Sequence, residues 1–312
     1  MTAVIDPIEE RKKQVYRLFS LTGEDLAKEV LEHFRGGDAG PTEEMRSRLT
    51  IEDHKLNGRN WYKFRSRKKE PEDLKKIMYI HGGGFVLESG LAELLFAEWL
   101  ADETGAEVWF PEYPLAPEKT CVEALDMVAS LYKMMLEEAD AGSIAVGGGS
   151  AGGCLSVSLA IHLRENDLPQ PRSIFLLSPG TDLRAPKNEE EEAYMKLLAS
   201  RDKMISPNGM PTIHKLWCGD LPENDYRATP SEADLTGLAP MLIFGGTGEV
   251  VGLAVRRLAK AAERQKIAYR YYEKEMMPHC WILFPEFDTT EERSLILQML
   301  HDPQKVVGSS CP

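Results

Sequence analysis

From residue 77 onward the chain alternates short apolar runs with longer stretches of helical periodicity. Residues 77–80, 107–110, 143–146, 173–177, 241–244 and 268–272 read as strands, and the segments between them as helices. Strands alternating with helices of this length predict a mostly parallel central sheet with right-handed crossovers. Two different patterns precede this block. In the first 37 residues Val15, Leu18 and Phe19 mark one helix opened by Pro7. Leu26, Val30, Leu31 and Phe34 mark a second, capped by Thr22 and stopped at Gly36-Gly37. Residues 46–54 and 59–65 then alternate apolar and polar positions around Asn57-Gly58, a hairpin signal that predicts an antiparallel edge to the sheet.

One segment breaks the alternation. About 60 residues separate the strand ending near Leu177 from the one beginning at Met241, more than a single crossover requires. This stretch holds the acidic run 189–192, an apolar helix around residues 194–198 and a Pro-rich tail. Residues 183–225 are therefore expected to form an insertion over the C-terminal edge of the sheet, making a helical cap together with residues 1–40. The whole chain, 1–312, is expected to be a single domain of about eight strands. Tyr194, Met195, Leu197, Leu198, Met204, Met210, Ile213, Leu216 and Trp217 could line a pocket or form the core of the cap; both readings stand at this point.

Composition narrows the partners. With 37 Lys and Arg against 50 Asp and Glu the net charge is −13, which repels phosphate backbones and anionic membranes. A small neutral or cationic substrate is the expectation, and nucleic acid and membrane are not. The N-terminal residues carry charges with no apolar run behind them, unlike a signal peptide. Residues 143–163 carry no Asp, Glu, Lys or Arg but are rich in Gly and Ser, which suits a buried strand, turn and helix better than a membrane span. The five cysteines are widely spaced with no C-x-x-C pair, so reduced thiols, no metal site and a cytoplasmic setting are expected.

Two glycine-rich motifs carry the candidate chemistry. Gly148-Gly149-Ser150-Ala151-Gly152 is a G-x-S-x-G sequence between an expected strand and an expected helix, a turn sharp enough to expose a serine nucleophile. Composition alone would produce such a pattern in about one chain in nine, so the strand-turn-helix context carries the weight. His81-Gly82-Gly83-Gly84 follows the strand at residues 77–80, and successive glycines leave backbone N–H groups open to a substrate oxygen. His81 itself is expected to shape this loop.

These motifs resemble those of α/β-hydrolases of the hormone-sensitive-lipase-like family, from about residue 45 onward. The family's H-G-G-G-F box is intact at 81–85. Its G-D-S-A-G-G box has Gly149 in place of Asp, and its Y-R-L-A-P-E stretch, at 113–118, has Pro114 in place of Arg. Ser178-Pro179 and Asp182 also resemble a family motif. The resemblance implies an α/β-hydrolase fold with a triad in the order Ser, acid, His, and no metal or organic cofactor.

Three histidines lie beyond the helix that Ser150 opens. His214 lies in the insertion and His301 on a C-terminal helix, whereas His279 follows the last strand, as the resemblance implies for a general base. Glu249 occupies the family's acid position after the seventh strand; Asp225, Asp234 and Glu275 are the alternatives. Ser150, His279 and Glu249, with an oxyanion hole from the N–H groups of Gly83, Gly84 and Ala151, imply acyl transfer to water, and the resemblance implies carboxylic esters with short to medium acyl chains. Cys154 is expected to pack. An amidase, formamidase or lactonase would use the same residues, and a receptor that binds a small molecule under the cap is the non-enzymatic alternative. An edge strand of the sheet could pair in a homodimer.

Overall fold

A computed structural model describes residues 7–34 and 40–308. Eight strands form one sheet: β1 (Thr50–Leu56), β2 (Arg59–Arg65), β3 (Lys76–Ile80), β4 (Glu107–Pro111), β5 (Ile144–Gly149), β6 (Ser173–Leu177), β7 (Met241–Gly246) and β8 (Tyr269–Lys274). Their spatial order is β1-β2-β4-β3-β5-β6-β7-β8. β2 pairs antiparallel with both β1 and β4, and every other pairing is parallel. The hairpin therefore extends the sheet through β4, with Asn57 and Gly58 both at positive φ in the turn. Strands β3 to β7 are buried along their whole length, which explains why they read as unbroken apolar runs.

The helices, in chain order, are α1 (Pro7–Phe19), α2 (Gly23–His33), α3 (Glu43–Arg48), α4 (Leu91–Thr104), α5 (Cys121–Glu138), α6 (Ala151–Glu165), α7 (Glu189–Arg201), α8 (Met210–Cys218), α9 (Gly252–Arg264), α10 (Thr290–His301) and α11 (Pro303–Val307). Two apolar cores lie on the two faces of the sheet. One is built from α5, α6 and α9 and is joined by α1, α2, α7 and α8; the other is built from α3, α4, α10 and α11.

Two local expectations differ from the structure. Residues 43–48 are helical, because Thr42 caps them through an N–H bond from Met45 at 3.2 Å and two acidic residues occupy the first turn; the strand begins only at Thr50. The stretch expected as a Pro-rich tail contains α8, in whose first turn Pro211 costs no hydrogen bond. The expected stop of the second helix at Gly36-Gly37 lies outside the described residues.

The N-terminal helices and the insertion meet above the C-terminal ends of the strands. The Gly23 N–H donates to Thr212 Oγ1 at 3.1 Å, and Trp217 of α8 stacks on Phe85 with ring centroids 4.2 Å apart. Leu198, Met210, Ile213 and Trp217 are buried in this layer.

Candidate active site

Loops following β3, β5, β6, β7 and β8 converge at the strands' C-terminal ends, where open parallel sheets place their ligand sites. Between β5 and α6, Ser150 holds φ 53° and ψ −116°, a conformation that costs energy for a residue with a side chain. Its N–H donates to the Leu177 carbonyl at 2.8 Å and its carbonyl accepts from Gly180 at 2.9 Å, so the turn is clamped from β6. Only glycine fits at 152, where a Cβ would lie 1.9 Å from the Ile80 carbonyl oxygen.

Glu249 and His279 come from the loops after the adjacent strands β7 and β8. Both are buried, and Glu249 Oε2 lies 2.5 Å from His279 Nδ1. The other carboxylate oxygen accepts from the Gly246 N–H at 2.7 Å and from Ser178 Oγ at 2.8 Å. Ser178 in turn accepts from the Cys280 N–H at 3.1 Å, tying the end of β6 to both loops. Burial opposes charge on the His279 imidazole, but the neighbouring Cys280 sulfur and the Glu249 carboxylate outweigh it and hold its pKa well above the ordinary histidine value. The alternatives to Glu249 lie elsewhere: Asp225 pairs with Arg227, Asp234 accepts from Thr236, and Glu275 is exposed.

Ser150 and His279 line one cavity of about 100 Å³. No hydrogen bond joins Ser150 Oγ to the imidazole; His279 Nε2 instead lies 3.6 Å from Cys280 Sγ. His214 is buried under the insertion, with Nε2 3.1 Å from the Glu223 carbonyl, and His301 is exposed at the end of α10. Cys154 is buried on α6, its thiol 3.6 Å from the Ala228 carbonyl.

The glycine loop completes the cavity wall. Gly83 and Gly84 have φ of 105° and 60°, and a Cβ at Gly84 would meet the Phe19 ring at 2.5 Å. Their N–H groups have no acceptor among the described residues, and the Ala151 N–H is one of the free donors of the first turn of α6. His81 is fully buried; its Nδ1 donates to the Gly82 carbonyl at 2.7 Å and its ring stacks on Tyr113 at 4.4 Å. The Glu93 carboxylate accepts from the Gly82 N–H and, at 3.3 Å, from the Gly90 N–H.

Glu93 and Asp202 hold loops of this site and were not singled out by any motif, whereas Ser178 belongs to a motif that gave it no role. Asp202 ends α7, and its carboxylate accepts from the N–H groups of Met204 at 2.7 Å, Ile205 at 2.8 Å and Val250 at 2.8 Å, the last being the residue after Glu249. An acidic residue just past a helix carries no sequence signal for such a bridge. Of the nine apolar residues expected to line a pocket or pack the cap, Met204 alone reaches this cavity. Ile8, Val15 and Phe19 of α1 line it instead, beside Leu91, Ile205, Leu283 and Phe284.

Among the described residues no group of three or more His, Cys, Asp or Glu side chains is placed to hold a metal ion, and no helix is long and apolar enough to cross a membrane. The four described cysteines are free.

A strained serine on a strand-to-helix turn, with a buried acid–histidine pair from the last two strands, defines the architecture of an α/β-hydrolase. The chain belongs to the family described by that fold, which matches residues 77–283. It is 28% identical over 211 residues to an acetyl-hydrolase of Streptomyces hygroscopicus, covering 67% of this chain and 69% of that protein. It is 28% identical to an esterase of Acinetobacter venetianus over 63% of this chain and 64% of that protein. A hormone-sensitive lipase structure from a metagenome library superimposes with a TM-score of 0.73 at 24% identity, over 97% of this chain and 99% of that one.

Proposed function

We propose that this carboxylesterase works by acyl transfer to water through Ser150, His279 and Glu249. Ser150 Oγ attacks the ester carbonyl carbon while His279 Nε2 takes its proton, and Glu249 stabilises the imidazolium through Nδ1. The N–H groups of Gly83, Gly84 and Ala151 hold the tetrahedral oxyanion. The intermediate collapses, His279 protonates the departing alcohol, and water repeats the cycle on the acyl-enzyme. The bond from Ser150 Oγ to His279 tightens once substrate is bound.

The observation that carries this reading is the 2.5 Å contact between Glu249 and His279 in the wall of the cavity that Ser150 also lines. The relatives named acetyl-hydrolase and esterase support ester over amide cleavage, and a cavity of about 100 Å³ favours short acyl chains. Residues 7–34 and the insertion act as the cap that closes this space.

The test is hydrolysis of p-nitrophenyl acetate, butyrate and octanoate by wild type and Ser150→Ala. Turnover should fall from acetate or butyrate to octanoate, and the variant should lose about 10⁴-fold or more in kcat. A folded Ser150→Ala protein that keeps wild-type turnover would sink the reading.

A further inference from the structure

The cavity holds a positive charge that ester hydrolysis leaves unused. Arg11, on α1, lines it together with Ser150 and His279. Its Nη2 donates to the Glu88 carbonyl at 2.6 Å, the one hydrogen bond its guanidinium makes among the described residues. Among the described residues no carboxylate lies within ion-pair distance of it, although three are near.

Each of those three is engaged elsewhere. Glu88 is held by the fork of Arg59, at 3.1 and 2.7 Å. Glu93 accepts from the backbone of Gly82 and Gly90. Glu112 accepts from Ser89 and lies 3.3 Å from His81 Nε2. Lys12, the other cation lining the cavity, pairs with Glu9 at 2.8 Å and with Glu286.

A guanidinium carries five N–H donors in a planar fork matched to a carboxylate, and a partly buried one without an anion is costly. Burial pushes the Arg11 pKa down against the pull of Glu93, Glu88 and Glu112, so desolvation is the larger influence. Arg11 lines a small space whose wall also carries Ser150.

We propose that Arg11 receives a carboxylate borne by the substrate, so that the ester cleaved at Ser150 is an anionic one. This inference rests on the esterase reading. It reverses the expectation from the net charge of −13, because the local guanidinium, not the distant surface, meets the bound substrate. The carboxylate belongs either to the acyl chain or to the alcohol, and the two are separable by substrate choice.

The experiment compares two pairs of esters: mono-p-nitrophenyl glutarate with p-nitrophenyl valerate, and butyrylglycolate with ethyl butyrate. Wild type, Arg11→Met and Arg11→Lys are assayed, and the quantity read is the ratio of kcat/KM for the charged member to that for the neutral one. In one pair Arg11→Met should lower this ratio by about 10- to 100-fold, and Arg11→Lys, which keeps charge but loses the fork, should fall between. Because the ratio is internal to each variant, a loss of folded protein does not mimic the effect. Wild type that turns over both pairs with ratios unmoved by Arg11→Met overturns this inference alone. Wild type that turns over none of the four esters overturns the esterase reading and this inference with it.

Discussion

The floor and the roof of the cavity are built on opposite principles. The floor is polar and closely bonded: Glu249 uses both oxygens, Ser178 both donates and accepts, and Glu93 and His81 hold the glycine loop. Glu249, Ser178 and His81 follow the ends of buried parallel strands, and Glu93 lies in the first turn of α4. The roof turns mostly apolar side chains of α1 and the insertion to the cavity, and ion pairs such as Lys12–Glu286 and Arg257–Glu191 tie it down from outside. A proton transfer fails if donor and acceptor shift by about 1 Å, whereas an apolar wall only has to exclude water and fit a shape. Precision therefore sits where backbone hydrogen bonding is densest, and substrate choice sits in a mainly apolar wall that also carries Arg11.

The sharpest break in that comparison is Glu249→Gln. It keeps the shape of the floor and removes its charge, so kcat should fall by about 10³- to 10⁴-fold with the fold retained. The carboxylate favours the imidazolium, so its removal lowers the His279 pKa. The proposed mechanism uses the neutral imidazole as base, so the acidic limb of kcat/KM against pH should move to lower pH. A limb that stays put would mean Glu249 does not tune the base.

On the roof, Phe19→Ala should cost about 3 kcal/mol in denaturant unfolding, because the ring is buried against Gly84. The same variant should raise octanoate turnover relative to acetate. An unchanged chain-length profile would remove α1 from the acyl wall. Asp202→Asn tests the seam between the two regions: one amide group then faces a backbone N–H, and kcat should drop about threefold to tenfold with little change in KM. A change confined to KM would place Asp202 with the roof.

The smallest effect is expected at Gly149→Ala. A Cβ there would sit 3.5 Å from Tyr79 Oη and 3.6 Å from Cys280 Sγ, ordinary contact distances, and the melting temperature should move by the equivalent of less than about 0.5 kcal/mol. A large loss would show that the departure from Asp at this position is required by packing.

The parts of the floor that were legible in the sequence are those that are local. Strand, tight turn and helix follow one another around Ser150, and His81 to Gly84 directly follow a strand, so residue order alone locates them. Glu249 and His279 were expected from the family resemblance, which names the loops after the strands they follow. The roof was not legible in the same way, since nothing in Val15 or Phe19 says which side chains they will meet across residues far along the chain. Asp202 and Glu93 read as ordinary helix-end acids until their backbone partners are seen. The helix at residues 43–48 was hidden by alternation that also suits a strand, and the cap of Thr42 decided between them.

The 13 residues of α1 supply much of the cavity wall yet contribute no strand to the sheet and no member of the acid–histidine pair. Variation in this one short stretch can therefore explore new substrates while the inherited chemistry stays intact, and a library confined to the cavity-facing positions of α1 samples selectivity without trading away turnover.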